Sequence, residues 1–458
     1  MIEELKPYAH HRATGLYWLP QVPSHWAVMR SKYVFAERTE LARAGDVQLS
    51  ATQAYGVIPQ AEFERRVGRR VVRISMHLDK RSHVEKGDFV ISMRSFQGGL
   101  ERAWASGAIR SSYVVLRPAR ELDLGYFTHL FKAQPYIKAL QATGNFIRDG
   151  QDLTFGNFSR VDLPFPPRDE QIAIGRFLDH ANRRIDQFIR AKMKLIALLN
   201  EQKQAIIHRA VTGAFNDSEE FIDRGVFLSM LPKRWPLHRA KYLFHQVVAP
   251  VPENAEQVTC FRDGQVTLRR NRRTTGFTEA IYELGYQGIS EGQLVVHSMD
   301  GFAGAIGVSD SSGKCSPEYV ILEPSTHGVH PQYFALLMRH LALRGLFTAL
   351  CPSVRERAPR VRFSDFGSFV LPKPTLEEQQ SIVDQVREAA GEFDRALRHV
   401  REQLARAQEY RTRLISDVVT GQLDVRAAAA SLPDLEPDVA SAEPSDDEGT
   451  DIDDNETA

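Results

Sequence analysis

The chain has almost no cysteine, no long apolar run and no formal net charge. Its three cysteines, Cys260, Cys315 and Cys351, are widely spaced and odd in number. They form no Cys-x-x-Cys pair or His-rich cluster, which excludes a disulfide framework and a zinc cluster and fits a reducing, cytoplasmic compartment. No apolar run approaches the roughly 18 residues that a membrane span needs. The opening MIEELKPYAHHR lacks the apolar centre of a secretion signal. Catalytic signatures are missing too. There is no Gly-x-x-x-x-Gly-Lys-Ser/Thr phosphate loop and no nucleophile elbow. Leu163-Pro-Phe-Pro-Pro167 lacks the leading amide or carboxylate of an amino-methyltransferase motif, and Gly98-Gly99 is not a dinucleotide fingerprint. His11, His25 and His180 are scattered and read as surface or structural groups. These absences describe a chain that binds and positions rather than one that catalyses.

The zero net charge conceals an asymmetry. Residues 431–458 carry eleven Asp and Glu and no Lys or Arg, leaving 58 basic against 47 acidic residues in the rest. A basic body suits phosphate backbones. The acidic tail, Ser-, Asp- and Pro-rich, is expected to be disordered from 426 to 458.

The same pattern is written twice, about 208 residues apart. Residues 22–35 read VPSHWAVMRSKYVF and residues 231–244 read LPKRWPLHRAKYLF, so Pro23, Trp26, Arg30, Lys32, Tyr33 and Phe35 match Pro232, Trp235, Arg239, Lys241, Tyr242 and Phe244 without a gap. Leu163-Pro-Phe-Pro166 with Glu170-Gln171 matches Leu371-Pro-Lys-Pro374 with Glu378-Gln379, and Val211-Thr-Gly213 matches Val419-Thr-Gly421. A duplicated unit of this size implies a pseudo-two-fold molecule suited to a two-fold target or to two copies of one partner.

The fold class expected is α+β: two similar mixed α/β domains separated by two long antiparallel helices forming a coiled coil. Short apolar runs bounded by Gly, Pro and Ser, at 88–92 and 113–116 and again at 292–296 and 319–324, predict strands. Apolar spacing predicts a helix near 126–142, ending before Gly144. From 169 to 212 only Gly175 interrupts a helical pattern, and a second such pattern runs from 375 to 420. Carboxylates open the first helix and glycines follow both. Leu178, Ile185, Phe188, Leu195, Leu199 and Ile206 mark a seam on the first helix, and Val386, Phe393, Leu397, Val400, Leu404 and Leu414 mark one on the second. The connectivity predicts a rod with a globular region at each end. The division expected is 1–165 and 214–373 globular, 166–213 and 374–425 helical, and 426–458 the tail.

Basic clusters fall early in each globular region. The first holds Arg65-Arg66 and Arg69-Arg70-Val-Val-Arg73; the second holds Arg269-Arg270-Asn271-Arg272-Arg273, with Arg262 nearby. Both follow matched glycines, Gly56 and Gly264. Arg contacts phosphates or bonds a guanine edge, and Asn or Gln can bond adenine, for which Gln53, Gln265 and Asn271 are available. A merely solvated basic face is the bland alternative for any single arginine. Shared segments read as scaffold and divergent ones as specificity.

Trp18-Leu-Pro-Gln-Val-Pro-Ser-His-Trp26 with Arg30-Ser-Lys-Tyr33, the Leu-Pro-x-Pro…Glu-Gln lead into each long helix, and the closing Val-Thr-Gly together resemble the specificity subunit of Type I restriction–modification systems. The resemblance covers roughly residues 16–425. It implies two target recognition domains, each reading one half of a split double-stranded DNA site, with a coiled coil fixing their separation. It implies two methyltransferase subunits docked on the chain, with restriction–motor subunits joining them. S-adenosylmethionine, ATP and Mg2+ would belong to those partners and none to this chain. Two other readings stay open: a solitary DNA-binding adaptor or anti-restriction decoy, and a coiled-coil scaffold that binds proteins only.

Overall fold

The computed structural model describes residues 5–68, 70, 80–92, 95–144, 153–214, 220–228, 230–272, 284–350 and 360–434. Arg69, Arg73, Arg273, Cys351 and the tail from 435 onward lie outside the described residues. The chain forms two compact units that do not follow the linear division. One comprises residues 1–191 with 403–458, the other residues 192–402. Each therefore contains one globular region and part of both long helices.

In unit 1 a four-stranded antiparallel sheet orders its strands Phe35–Glu37, Val114–Pro118, Phe89–Ile91, Glu101–Arg102. In unit 2 the order is Phe244–Val247, Tyr319–Pro324, Leu294–His297, Ile306–Val308, which is the same path in sequence. The runs expected to be strands supply the two central ones each time. Strand alternation explains how these runs serve two cores. Phe89 and Ile91 face the large core of unit 1, whereas Val90 joins a smaller cluster with Leu49, Val57, Val84 and Ile109. Likewise Leu294 and Val296 face the large core of unit 2 and Val295 the smaller one, with Val258, Cys260 and Val266. Each large core takes in the long helices; each small core anchors a two-stranded hairpin.

The long helices run Arg168–Val211 and Leu376–Val419, within a residue of expectation. Gly213 and Gly421 follow them at φ +74, a left-handed conformation that glycine adopts without strain. The start of one helix packs with the end of the other in each unit, which is antiparallel. In unit 1 Ile174, Leu178 and Ala181 share a core with Leu414 and Val418, and Arg411 pairs with Asp186. In unit 2 Ile207 and Val211 share a core with Val383 and Val386, and Lys203 bonds Asp394 at 2.6 Å.

The seam is not buried evenly. Leu178, Val386, Leu397, Val400 and Leu414 are buried, and Ile185, Leu199, Ile206, Phe393 and Leu404 are half-buried. Phe188 and Leu195 are exposed instead, at 42% and 37%. At the end of the first helix Ile207, one position beyond the expected Ile206, enters the core. The helix expected at 126–142 is two helices, Leu124–Leu130 and Gln134–Gln141, because Pro135 can start a helix but not continue one. Residues 426–434, grouped with the acidic tail by composition, are ordered. Arg426–Ala430 is helical, Ala429 is 3% exposed, His180 Nε2 bonds Pro433 O at 2.8 Å, and Arg176 pairs with Asp434 at 3.1 Å. The Arg-Ala-Ala-Ala-Ala run is apolar enough to cover the core, and the acidic composition begins beyond it.

Candidate nucleic-acid interface

The matched motifs are the clasp that holds each globular region to the helices. In unit 1 Glu170, 3% exposed, accepts hydrogen bonds from Trp26 Nε1 at 2.8 Å and Tyr8 Oη at 3.1 Å. His25 Nε2 lies 2.6 Å away and Arg426 3.3 Å. Burial and the Glu170 carboxylate push the Tyr8 phenol well up. Gln171 donates to Pro166 O at 2.8 Å and accepts from Asp123 N at 2.9 Å, so it ties the helix start to the neighbouring loop. Gly421 lies against Trp26; a Cβ there would stand 3.0 Å from the indole and closer still to Pro23. In unit 2 Trp235 Nε1 reaches Glu378 at 3.4 Å, Gln379 repeats the bond to Pro374 O at 2.8 Å, and Gly213 lies against Pro232 and Trp235. The tryptophans are thus core, as their shared placement suggested.

The sites proposed to read sequence stand on the hairpins over the small cores. In unit 1 the hairpin pairs Leu49–Thr52 with Gly56–Pro59 and leads into the helix Gln60–Val67. In unit 2 it pairs Val258–Cys260 with Val266–Leu268 and leads into a 3-10 turn, Arg269–Asn271. Gly56 and Gly264 both have positive φ at the hairpin turn. A Cβ on Gly56 would strike Arg102 O and Trp104, and one on Gly264 would strike Arg339. Gln53 and Gln265 are exposed on these turns, and Gln53 lies over Gly98.

The described basic candidates do gather beside their hairpins, but most are already paired. Arg66 pairs with Glu62 and stacks 5.0 Å over Tyr55. Arg262 bonds Asp300 at 2.9 Å, Arg270 bonds Glu256 at 2.5 Å, and Arg272 donates from Nη1 to both Asp263 oxygens at 2.8 and 2.9 Å while lying 4.3 Å over Phe261. Arg269 donates to Thr259 Oγ1 at 3.3 Å and Asn271 to Thr267 Oγ1 at 2.8 Å. Arg65 and Arg70 are exposed, with no ion pair among the described residues. Arg66 and Arg272 thus each combine a carboxylate partner with an aromatic ring beside the guanidinium, a planar group able to make bidentate base or phosphate contacts.

Sequence reading missed four neighbours, in two pairs. Trp104 is 48% exposed beside the first hairpin, with Arg102 4.3 Å over its ring; burial lowers the Arg102 pKa. Arg81 and Arg110 flank the paired strands Ser82–Val84 and Gly107–Ile109, one step beyond the Ser82–Ile109 pair. Arg81 is 6% exposed, and burial followed by the Arg110 charge lowers its pKa. Only the register places these two arginines opposite each other, and no spacing in the sequence signals it. No group of three metal-ligating side chains occurs among the described residues, and no described helix is long and apolar enough to cross a membrane.

No family model matches the chain. The Type I restriction enzyme EcoBI specificity subunit of Escherichia coli is 24% identical over 329 residues, with 66% of this chain and 66% of that protein covered. The chain thus spans about two thirds of that relative's length. A solved chain from work on the structural basis of complex assembly and conformational transition of the type I R-M system superposes with a TM-score of 0.59 at 14% identity, covering 88% of this chain and 99% of that one. The HsdS subunit from Thermoanaerobacter tengcongensis gives a TM-score of 0.44 at 14% identity, covering 88% and 98%. The chain is therefore similar in sequence to a Type I restriction enzyme specificity subunit and shares its fold with a chain solved in work on a type I R-M system.

Proposed function

We propose that this chain is the DNA-specificity subunit of a Type I restriction–modification complex. It reads a bipartite duplex target, one half-site per globular region, and carries two methyltransferase subunits together with restriction–motor subunits. The observation that supports this best is the contrast within each unit. The sheet order, the tryptophan clasp and the helix caps repeat, while the hairpins mounted on them carry different residues around arginines. A repeated frame with divergent basic hairpins suits an asymmetric split site. The chain contributes positioning and no chemistry; S-adenosylmethionine, ATP and Mg2+ act on the partners. The exposed Phe188 and Tyr410 line an apolar groove on the helices of unit 1 with Ala181, Ile185 and Ala407, which suits a docked methyltransferase helix.

Replacing residues 36–160 with the equivalent part of a relative tests the reading. Methylation-sensitive sequencing of the host genome should show one half of the methylated sequence changed and the other kept. Change in both halves, or in neither, overturns the modular assignment. Methyl transfer by the purified chain alone would overturn its non-catalytic role.

A further inference from the structure

The residues that the two copies share sort by exposure. Trp26, Phe35, Trp235 and Phe244 are buried, so packing accounts for them. Arg30, Lys32 and Tyr33 are exposed, and so are Arg239, Lys241 and Tyr242. The tyrosines stand 57% and 59% in solvent, so packing does not account for these six. Their backbone geometry nevertheless repeats. Arg30 and Arg239 precede the short helices Ser31–Val34 and Ala240–Leu243 with φ/ψ of −63/134 and −69/141. Each helix is pinned: Ser31 N donates to Val161 O at 3.3 Å, Ala240 N to Phe369 O at 2.8 Å, and Lys241 N to Gly367 O at 2.9 Å. The lysine Nζ lies over the tyrosine ring in both, at 5.2 and 5.3 Å.

The charge of these sets also differs from their surroundings. Arg43, Arg262, Arg270 and Arg272 are exposed arginines, each held by a carboxylate. Arg30, Lys32, Arg239 and Lys241 have no ion pair among the described residues. A rigid, exposed, unpaired cation–aromatic set, retained in both copies while the neighbouring hairpins diverge, calls for a ligand that is anionic and the same at both places. Duplex DNA presents such a ligand in its sugar–phosphate backbone, whatever the base sequence.

We propose that Arg30, Lys32 and Tyr33 in unit 1, and Arg239, Lys241 and Tyr242 in unit 2, are two equivalent grips on the DNA phosphate backbone. They are separate from the residues that read bases. This rests on the DNA-specificity reading and says where its sequence-independent affinity arises. A second copy of a methyltransferase would also be the same at both places. Arginine and tyrosine suit a protein interface and lysine does not, so composition does not decide, but two cations without counter-ions at each place favour phosphate.

The test is the salt dependence of binding of the full chain, assembled with its methyltransferase, to a long random-sequence duplex. The variants are Arg30→Ala with Lys32→Ala, Arg239→Ala with Lys241→Ala, and all four together. Each lost phosphate contact flattens the slope of log K against log salt by about 0.9, so each pair should flatten it by ~1.8 and the quadruple variant by ~3.6. The swap of Arg30→Lys with Lys32→Arg keeps both charges and should retain the slope. All six residues are exposed, and a thermal melt checks that folding is unchanged. Wild-type binding with unaltered slopes in the alanine variants overturns the proposal. Loss of methyltransferase pull-down at an unaltered slope does so too, and assigns the patch to protein contact. If the wild-type assembly itself binds no duplex, the DNA reading falls with it.

Discussion

Removing the Glu170 carboxylate should loosen unit 1 far more than the matching change loosens unit 2. Glu170 is buried and accepts from Trp26 and Tyr8, with His25 and Arg426 also in reach. Glu170→Ala strands two buried donors, each costing roughly 1–3 kcal/mol when unsatisfied. Partial relaxation and water entry make the costs less than additive, so the expected loss is ~3–4 kcal/mol. Glu378 has a 24% exposed side chain, takes a long 3.4 Å bond from Trp235, and otherwise meets exposed Arg234 and the Thr375 amide. Water can replace much of that, so Glu378→Ala should cost ~1–2 kcal/mol. The assay is native-state hydrogen exchange, which reports each unit separately where a single melting point would not. In Glu170→Ala, amides of 419–430 should lose protection, because Lys6 pairs with Asp424 and Arg426 with Glu170. Glu170→Gln keeps one acceptor and should recover part of the loss. Equal or smaller destabilisation in Glu170→Ala than in Glu378→Ala would refute the reasoning.

Three further outcomes are expected. Arg110→Gln should relieve the like-charge pair with Arg81, stabilising unit 1 by ~0.5 kcal/mol in chemical denaturation while flattening the DNA salt slope by up to ~0.9; destabilisation would show that the pair is satisfied by other means. Burial, with His208 and Arg344 beside it, pushes His340 down to about 4. The unfolded chain, titrating near ~6.5, then takes up the proton first, so unit 2 should lose stability as pH falls from ~6.5 towards 4. Exchange of the helix Pro331–Leu343 should become less acid-sensitive in His340→Gln, and unchanged acid sensitivity counts against the assignment. Truncation after Asp434 should leave the methylated target unchanged, whereas truncation after Asp424 removes Val425 and Ala429 from the unit 1 core and should lower its melting temperature; equal melts would show that 425–434 is dispensable.

How much of this was legible depended on what each residue answers to. The long helices were readable because 44 residues of apolar spacing ended by glycines admit few alternatives. The central strands were readable because Phe89-Val-Ile91 and Leu294-Val-Val296 are buried on both faces and so lack polar positions. Seam burial was not readable at Phe188 and Leu195, since an apolar residue looks the same whether a neighbouring helix covers it or a partner must. The role of Glu170 was hidden for a related reason. In sequence it is a favourable charge in a helix's first turn, and only the fold brings Trp26 and Tyr8 to it from about 150 residues away. The tail boundary failed because composition averages over windows, and five residues of Arg-Ala-Ala-Ala-Ala are too short to shift an acidic average.

The pairing of the hairpin arginines bears on how a duplicated frame can support discrimination. An arginine already held by Asp263 or Glu256 gains little from meeting a phosphate, because it exchanges one carboxylate-like partner for another and both must be desolvated. It gains from a guanine edge only where the fork geometry is right, and it loses its carboxylate where the base is wrong. Paired arginines are therefore poor at non-specific attraction and sensitive to the base presented. The unpaired Arg30, Lys32, Arg239 and Lys241 have the opposite character, attracting any phosphate and discriminating nothing. On the proposed function the two properties are divided between residues, with affinity in the repeated segments and in the unpaired Arg65 and Arg70, and discrimination in the paired arginines of the divergent hairpins. Arg272→Lys separates them. It keeps the charge beside Asp263 but removes the planar guanidinium and its contact with the Phe261 ring. It should leave the salt slope unchanged and cost ~1–3 kcal/mol of discrimination at one position of one half-site. Methylation mapping across single-base variants of the target reads this directly. A uniform loss across all sequences would place Arg272 on the backbone and remove the division.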